Sequence, residues 1–185
     1  MPTASALPAP RALIRPLTPA DGPLVSRGFE LLSSKSRYRR WGTEHVRVEA
    51  ALAWITELDG ERCFAVGACS GIGGNPIGVA RYVGAEPSVA ELAVTVVDSA
   101  QGHGFGRLLV AHLLPYALSN GFLTLRASIR LGNTPAIRLM RGIGGIRRGW
   151  SYGGVLEFEA RLRREQVHHW PEHGPSLPAG HRRAG

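Results

Sequence analysis

Residues 89–107 read VAELAVTVVDSAQGHGFGR, and the fold is decided by how this stretch is parsed. Residues 89–97 are dominated by valine, leucine and threonine, which suit a pleated, buried strand. A polar step at Asp98 and Ser99 leads into a turn with glycine at 102, 104 and 106, and behind it residues 105–119 read as a helix. Glycine lets the backbone bend tightly and leaves its N–H groups uncovered. The helix start adds the positive end of its dipole, and Arg107 in the first turn adds a full charge, so the turn has the makings of a phosphate cradle. The glycine spacing is not that of the dinucleotide fingerprint, and no Gly-Lys-Ser/Thr follows to make a P-loop. Spacing alone does not separate the cradle from a strand-to-helix turn that is simply glycine-rich.

Working outward, the elements alternate. Residues 12–17 form a short strand, and Thr18-Pro19-Ala20-Asp21 opens a helix running to about Leu32. Val48, Leu52, Ile55 and Leu58 recur at helical spacing, so a second helix is expected over 48–58. Residues 62–68 and 77–83 are strands around a loop of Ser, Gly, Asn and Pro, a hairpin pattern. After the 89–97 strand and the 105–119 helix, with Pro115 as an expected kink or early break, come a strand at 123–129 and a helix at 135–141. A closing hairpin spans 146–152 and 155–162. The order β-α-α-β-β-β-α-β-α-β-β predicts an α/β fold, a mixed sheet flanked by helices.

The chain has 185 residues, enough for one domain. Three parts are expected: a flexible Pro/Ala-rich arm over 1–10, the folded domain over 11–162, and a disordered tail over 163–185 rich in Arg, His and Pro. The net charge is +8, carried by 21 Arg and a single Lys, and residues 161–185, with five Arg and two Glu, hold +3 of it. Such a balance points to nucleic acid, an acidic membrane surface or a polyanionic ligand. No apolar run approaches the roughly 18–20 residues of a membrane span. The first residues lack the apolar core of a secretory signal, and Cys63 and Cys69, alone in the chain, read as reduced thiols with no metal site. The expectation is a cytoplasmic protein.

Gln101-Gly102-His103-Gly104-Phe105-Gly106 resembles the Gln/Arg-x-x-Gly-x-Gly/Ala signature of the GCN5-related N-acetyltransferases (GNAT). Asn133-Thr134-Pro135-Ala136-Ile137-Arg138-Leu139, ending at Gly144, is similar to that family's second block, Asn-x-x-Ala-x-x-Leu-Tyr-x-x-x-Gly-Phe. The two blocks follow one another in the family's order and on the matching elements, and the likeness covers roughly residues 12–160. Within the family the chain looks most like the acetyltransferase domain of bacterial Pat-type protein-lysine acetyltransferases. That likeness rests on residues 32–41 (LSSKSRYRRW), with Trp41 where those proteins have Phe, and on residues 90–104 (AELAVTVVDSAQGHG).

The resemblance implies the GNAT fold, with a mostly antiparallel sheet, and acetyl-CoA as co-substrate. It also implies direct acetyl transfer to an amine, a protein lysine or else a small molecule. It places the coenzyme against Val96, Val97, Gln101, Gly102, His103, Gly104, Phe105, Gly106, Arg107 and Asn133. Backbone N–H groups of Val96 and Val97 are expected to be bared by a bulge that splays the strand. Glu91 is the one acid inside the 89–97 strand and stands where family members keep a general base. A carboxylate in apolar surroundings suits that task, because desolvation raises its pKa toward neutrality. It could equally face solvent or pair with an arginine. The family's general-acid Tyr is replaced by Met140, a packing residue, and Gly145 stands where the usual Phe follows Gly144.

Other residues carry open readings. His103 suits phosphate contact or solvent, and His112 suits packing. Asn133 is a helix cap as well as a coenzyme neighbour. Arg37, Tyr38, Arg39, Arg40 and Trp41 form a basic–aromatic cluster: an acceptor-side wall, a solvated loop, or a contact for nucleic acid or an acidic protein. Missing the Tyr acid, the chain could also sense the coenzyme without turnover. A basic nucleic-acid-associated protein is the remaining rival.

Overall fold

The structure is a computed structural model and describes residues 12–71, 74–151 and 153–163. The arm expected over 1–10 and the tail from 164 onward lie outside the described residues. The chain begins with β1 (Leu13–Pro16), a 3-10 turn (Pro19–Asp21), α1 (Gly22–Glu30), α2 (Ser34–Trp41), α3 (Val48–Leu52) and a second 3-10 turn (Ala53–Glu57). There follow β2 (Cys63–Cys69), β3 (Pro76–Glu86), β4 (Val89–Val96), a 3-10 turn (Asp98–Ala100), α4 (Phe105–Ser119) and β5 (Thr124–Arg130). The described chain closes with α5 (Thr134–Gly142), β6 (Ile146–Ser151) and β7 (Val155–Arg161).

Seven strands form one sheet in the order β1-β2-β3-β4-β5-β7-β6. Every neighbouring pair is antiparallel except β4 and β5, which run parallel. The mixed, mostly antiparallel sheet expected from the sequence is what forms.

Alternating side chains send the sheet's apolar residues to two faces. On one, α4 buries Phe105, Leu109 and Leu113 against Ile77, Tyr82 and Leu92, and α5 adds Met140 and Ile143 beside Phe158. Met140 is therefore the packing residue the sequence suggested. Each such aliphatic or aromatic side chain contributes about 1.5–3 kcal/mol on burial. On the other face, Leu17, Trp54, Ile55 and Ala65 form a second cluster, and Phe29, Leu32 and Ala51 a third.

Three local expectations are corrected. Pro115 does not break α4, which stays helical over Phe105–Ser119; the buried Leu113, Leu114 and Ala117 around it hold the helix against the sheet. The single helix expected over 48–58 divides into α3 and a 3-10 turn, which sends both Trp54 and Ile55 inward. Residues 34–41, given no element from sequence, form α2, capped by Ser33, whose hydroxyl accepts from the Ser36 N–H at 3.3 Å. Gly42 ends that helix in the left-handed region at φ 80°, where glycine is unstrained. Among the described residues no helix is long and apolar enough to cross a membrane.

Candidate active site

The parallel strands β4 and β5 stay paired only from Val89↔Thr124 to Glu91↔Arg126, and then part. On its other side β4 keeps an unbroken register with β3 from Ala90 to Val96. The Val97 N–H donates to Ile77 O at 2.9 Å, which makes Gly78↔Val96 a non-hydrogen-bonded pair of that antiparallel ladder. Donors of residues 91, 93, 95 and 97 therefore point to β3, and those of Val94 and Val96 point into the opening beside β5. Of the two backbone donors expected from sequence, Val96 is bared and Val97 is spent on Ile77. Beside the opening the β3 ladder carries no bulge, its one register shift lying at Gly84/Glu86; the strand opens because β5 diverges from it.

Past the opening lies the glycine turn. Gly102 and Gly104 have φ of 80° and 85°, a conformation that disfavours any side chain. Gly104 is the N-cap of α4, and the helix's first N–H to find a carbonyl is that of Leu108, at 3.1 Å from Gly104 O. The backbone N–H groups of Gly102, His103, Gly104, Phe105 and Gly106 make no close hydrogen bond to another described residue. Five donors converging at a helix start fit a diphosphate. Phe105 is buried and anchors the helix behind the turn, while His103 and Arg107 are exposed beside it. A Cβ on Gly106 would meet only ordinary contacts, the nearest Leu139 Cδ2 at 3.8 Å. The residues present thus fit a long coenzyme, with a diphosphate at the turn and an extended arm in the strand opening.

The side chain of Gln101 is held within the fold. Its amide Nε2 donates to Ser36 Oγ and to Val96 O, both at 3.0 Å, and its N–H donates to Asp98 O at 3.2 Å. Asp98 in turn accepts from Ser33 Oγ at 2.7 Å, Ser33 N–H at 2.9 Å and Ser36 Oγ at 3.0 Å. Partial burial works to raise the Asp98 pKa, but these hydrogen bonds together hold it below the usual carboxylate value. The latch ties the start of α2 to the end of β4. Sequence reasoning quoted these residues but gave the latch no role. The capping pattern at Ser33 was the one local signal for it, and its partner lies across the fold.

Glu91 is exposed and shares a sheet face with Ala93 and Thr95. The apolar surroundings expected for its carboxylate are therefore not formed, and Glu91 makes no ion pair with another described residue. On the same face a cleft opens between the sheet and α1–α3. Ala93, Thr95, Phe29, Leu32, Trp41 and Trp54 are among its apolar and aromatic walls, and Arg40 and Arg81 are its charged ones. The basic–aromatic cluster is thus a wall of this cavity through Arg40 and Trp41. Tyr38 instead lies under Arg130 of β5, with the guanidinium carbon 4.9 Å from its ring centre.

Asn133 caps α5, its side-chain oxygen accepting from the Ala136 N–H at 3.4 Å. Tyr82 is fully buried on the opposite face, with its hydroxyl donating to Glu61 O at 3.0 Å and accepting from Asn120 at 2.7 Å. Tyr116 stacks on Phe64 at 4.3 Å on that side too. Neither phenol reaches the strand opening. His112 sits against α4's own backbone, with Nδ1 2.9 Å from Leu108 O. Among the described residues no three His, Cys, Asp or Glu side chains gather to hold a metal ion.

Comparison with known proteins adds an independent finding. Residues 28–144 match the acetyltransferase (GNAT) family. The chain is 30% identical to acetyltransferase Pat of Mycolicibacterium smegmatis over 135 residues, which is 72% of this chain and 40% of that protein. It therefore spans about two fifths of that relative's length. The fold is similar to the GNAT domain of S. lividans PAT, with a TM-score of 0.73 and 24% identity over 82% of this chain and 90% of that one. It is also similar to yncA from Salmonella typhimurium, solved with its cofactor acetyl-CoA, with a TM-score of 0.65 and 20% identity over 87% and 98% of the two chains.

Proposed function

The chain belongs to the acetyltransferase (GNAT) family, and on that premise we propose that it moves the acetyl group of acetyl-CoA onto a lysine side chain of a protein, with Glu91 as general base, in the cytoplasm. GNAT acetyltransferases use acetyl-CoA, which supplies the acetyl group as a thioester. The protein's own tasks are to hold that long anion, to polarise the reacting carbonyl and to free the amine's lone pair.

The observation that carries the reading is the divergence of β4 from β5 immediately after Glu91. It sets a carboxylate, two outward backbone donors and a glycine cradle in line along one strand. The five unpaired N–H groups of residues 102–106 take the diphosphate. The Val94 and Val96 N–H groups face the arm and its carbonyl, where fixed donors are worth most because they need no reorganisation. A lysine amine has a pKa near 10.4 and is protonated at neutral pH, so it must lose a proton before it attacks. Glu91, unpaired beside the cavity, is placed to take that proton directly or through one water. With Met140 buried and both Tyr82 and Tyr116 turned elsewhere, none of these three protonates the leaving sulfur; we assign that proton to solvent in the strand opening.

The resemblance of residues 32–41 and 90–104 to Pat-type protein-lysine acetyltransferases is what favours a protein acceptor. The test is thiol release from acetyl-CoA in the presence of a lysate or lysine peptides, with mass spectrometry of the products. Acetyl-lysine in the products supports the reading. Binding of acetyl-CoA with no thiol released from any amine would leave a sensor in its place.

A further inference from the structure

Arg40 and Arg81 both line the cavity, near enough for the charge of Arg81 to act on Arg40, and no carboxylate is among its lining residues. Arg81 stands on β3 in register with Ala93 of β4, at the level between Glu91 and the strand opening. Its guanidinium carbon lies 5.0 Å from the ring centre of Trp54, and that of Arg40 lies 5.4 Å from the ring centre of Trp41. Each cation is thus backed by an indole face, an attraction that leaves its N–H edge available for a hydrogen-bond acceptor. Neither arginine forms an ion pair with another described residue, and neither has a hydrogen bond to one. Glu57 and Glu91 act on Arg81 only at longer range, together with Cys63. Among the described residues no acid is a cause of the Arg40 shift; burial first, and the charge of Arg81 second, lower its pKa to about 10.

Two like charges held in an apolar cavity oppose folding unless something offsets them. The coenzyme's diphosphate does not reach them from the glycine turn. From Ala93 to Val97, still short of the turn, an extended strand advances by about 13 Å. Arg81 instead lies one same-face position from Glu91, opposite Ala93, on the side where an acceptor amine must arrive. Resting on the acetyltransferase reading above, we infer that the acceptor carries an anionic group, a carboxylate or phosphate near its amine, that seats between Arg40 and Arg81 while Glu91 receives the amine's proton. An acidic neighbour of the target lysine in a protein, or the carboxylate of a small amino acid, presents the same chemistry.

The test compares acceptors that differ only in that charge. One pair is Nα-acetyl-lysine and its C-terminal amide; the other is a peptide with one lysine flanked by Asp and the same peptide with Asn. The anionic member of at least one pair should show kcat/KM higher by about tenfold, the scale of a hydrogen bond between charged groups. A preference confined to the first pair identifies a small acceptor, and one confined to the second identifies an acidic stretch of protein. Arg40→Gln should bring the preferred ratio close to one, mainly by raising KM for the anionic member, while Arg40→Lys keeps part of it. Thermal stabilisation by acetyl-CoA shows that each variant is folded. Measurable turnover with equal kcat/KM within both pairs would overturn the inference and leave the acetyltransferase reading standing. No turnover on any amine, with acetyl-CoA bound, would overturn both.

Discussion

Ser33 and Asp98, 65 residues apart, are joined twice: the Ser33 hydroxyl donates to Oδ1 at 2.7 Å and its backbone N–H to Oδ2 at 2.9 Å. This places the cap of α2, whose residues wall the cavity, directly on the turn that leads to the glycine cradle. The two halves of the site are therefore one mechanical unit. Asp98→Ala should cost about 1–2 kcal/mol, reduced from the full value of charged hydrogen bonds by the exposure of both residues. It should also raise KM for acetyl-CoA and for the acceptor together. Chemical denaturation and steady-state kinetics on the same variant check both.

The cradle depends on two glycines and tolerates change at a third. Gly104→Ala puts a Cβ on a residue at φ 85° and should cost about 1–2 kcal/mol. It should also weaken acetyl-CoA binding, because it tilts the first turn of α4. Gly106→Ala meets its nearest neighbour at 3.8 Å and should leave the melting temperature of the unliganded protein unchanged. Thermal melts with and without coenzyme separate the two.

Tyr82→Phe removes a fully buried hydroxyl that bridges Glu61 O and Asn120. Stability should fall by about 1–2 kcal/mol, while kcat for acetyl transfer stays within about twofold of the parent. A large loss of kcat at preserved folding would show that this phenol protonates the leaving sulfur after all.

The Arg15–Asp21 pair gives a pH dependence. Hydrogen bonding from Arg15 is the main cause that lowers the Asp21 pKa to about 2, against partial burial and with help from Thr18. An acid depressed in the folded state stabilises the protein above its unfolded pKa, near 3.9, and loses that contribution as pH falls through the folded value. The stability difference between the parent and Asp21→Asn should be constant from neutral pH to about 5. It should shrink between about 4 and about 2. Its plateau should be near 1 kcal/mol, since Arg15 is half exposed and its pairing is screened by solvent. Urea denaturation at stepped pH measures it.

Strand β4, the glycine turn and α4 were legible because their signals are local: a β-branched run, glycines where φ turns positive, then a 15-residue apolar helix. Helix α2 was not. Its residues, SKSRYRRW, carry four positive charges and no apolar stripe, and what fixes it is Asp98 across the fold. The tie between Gln101 and Ser36 was not legible for the same reason, since the two lie 65 residues apart. Glu91 and Val96 were singled out by the sequence together with the family resemblance, but which N–H groups face the opening follows only from the register of β3 on β4. The Arg40–Arg81 pair was half visible. Arg81 is the one charged residue between Ile77 and Gly84 of β3, yet nothing in the chain's order brings it opposite Arg40.

The most direct measurement is turnover by Glu91→Gln beside its affinity for acetyl-CoA. The substitution keeps the size of the side chain and removes its ability to accept a proton. Acetyl-CoA binding should be unchanged, while kcat with a lysine acceptor at neutral pH should fall by about a hundredfold, the scale of a positioned general base. Unchanged turnover with unchanged binding would contradict the account.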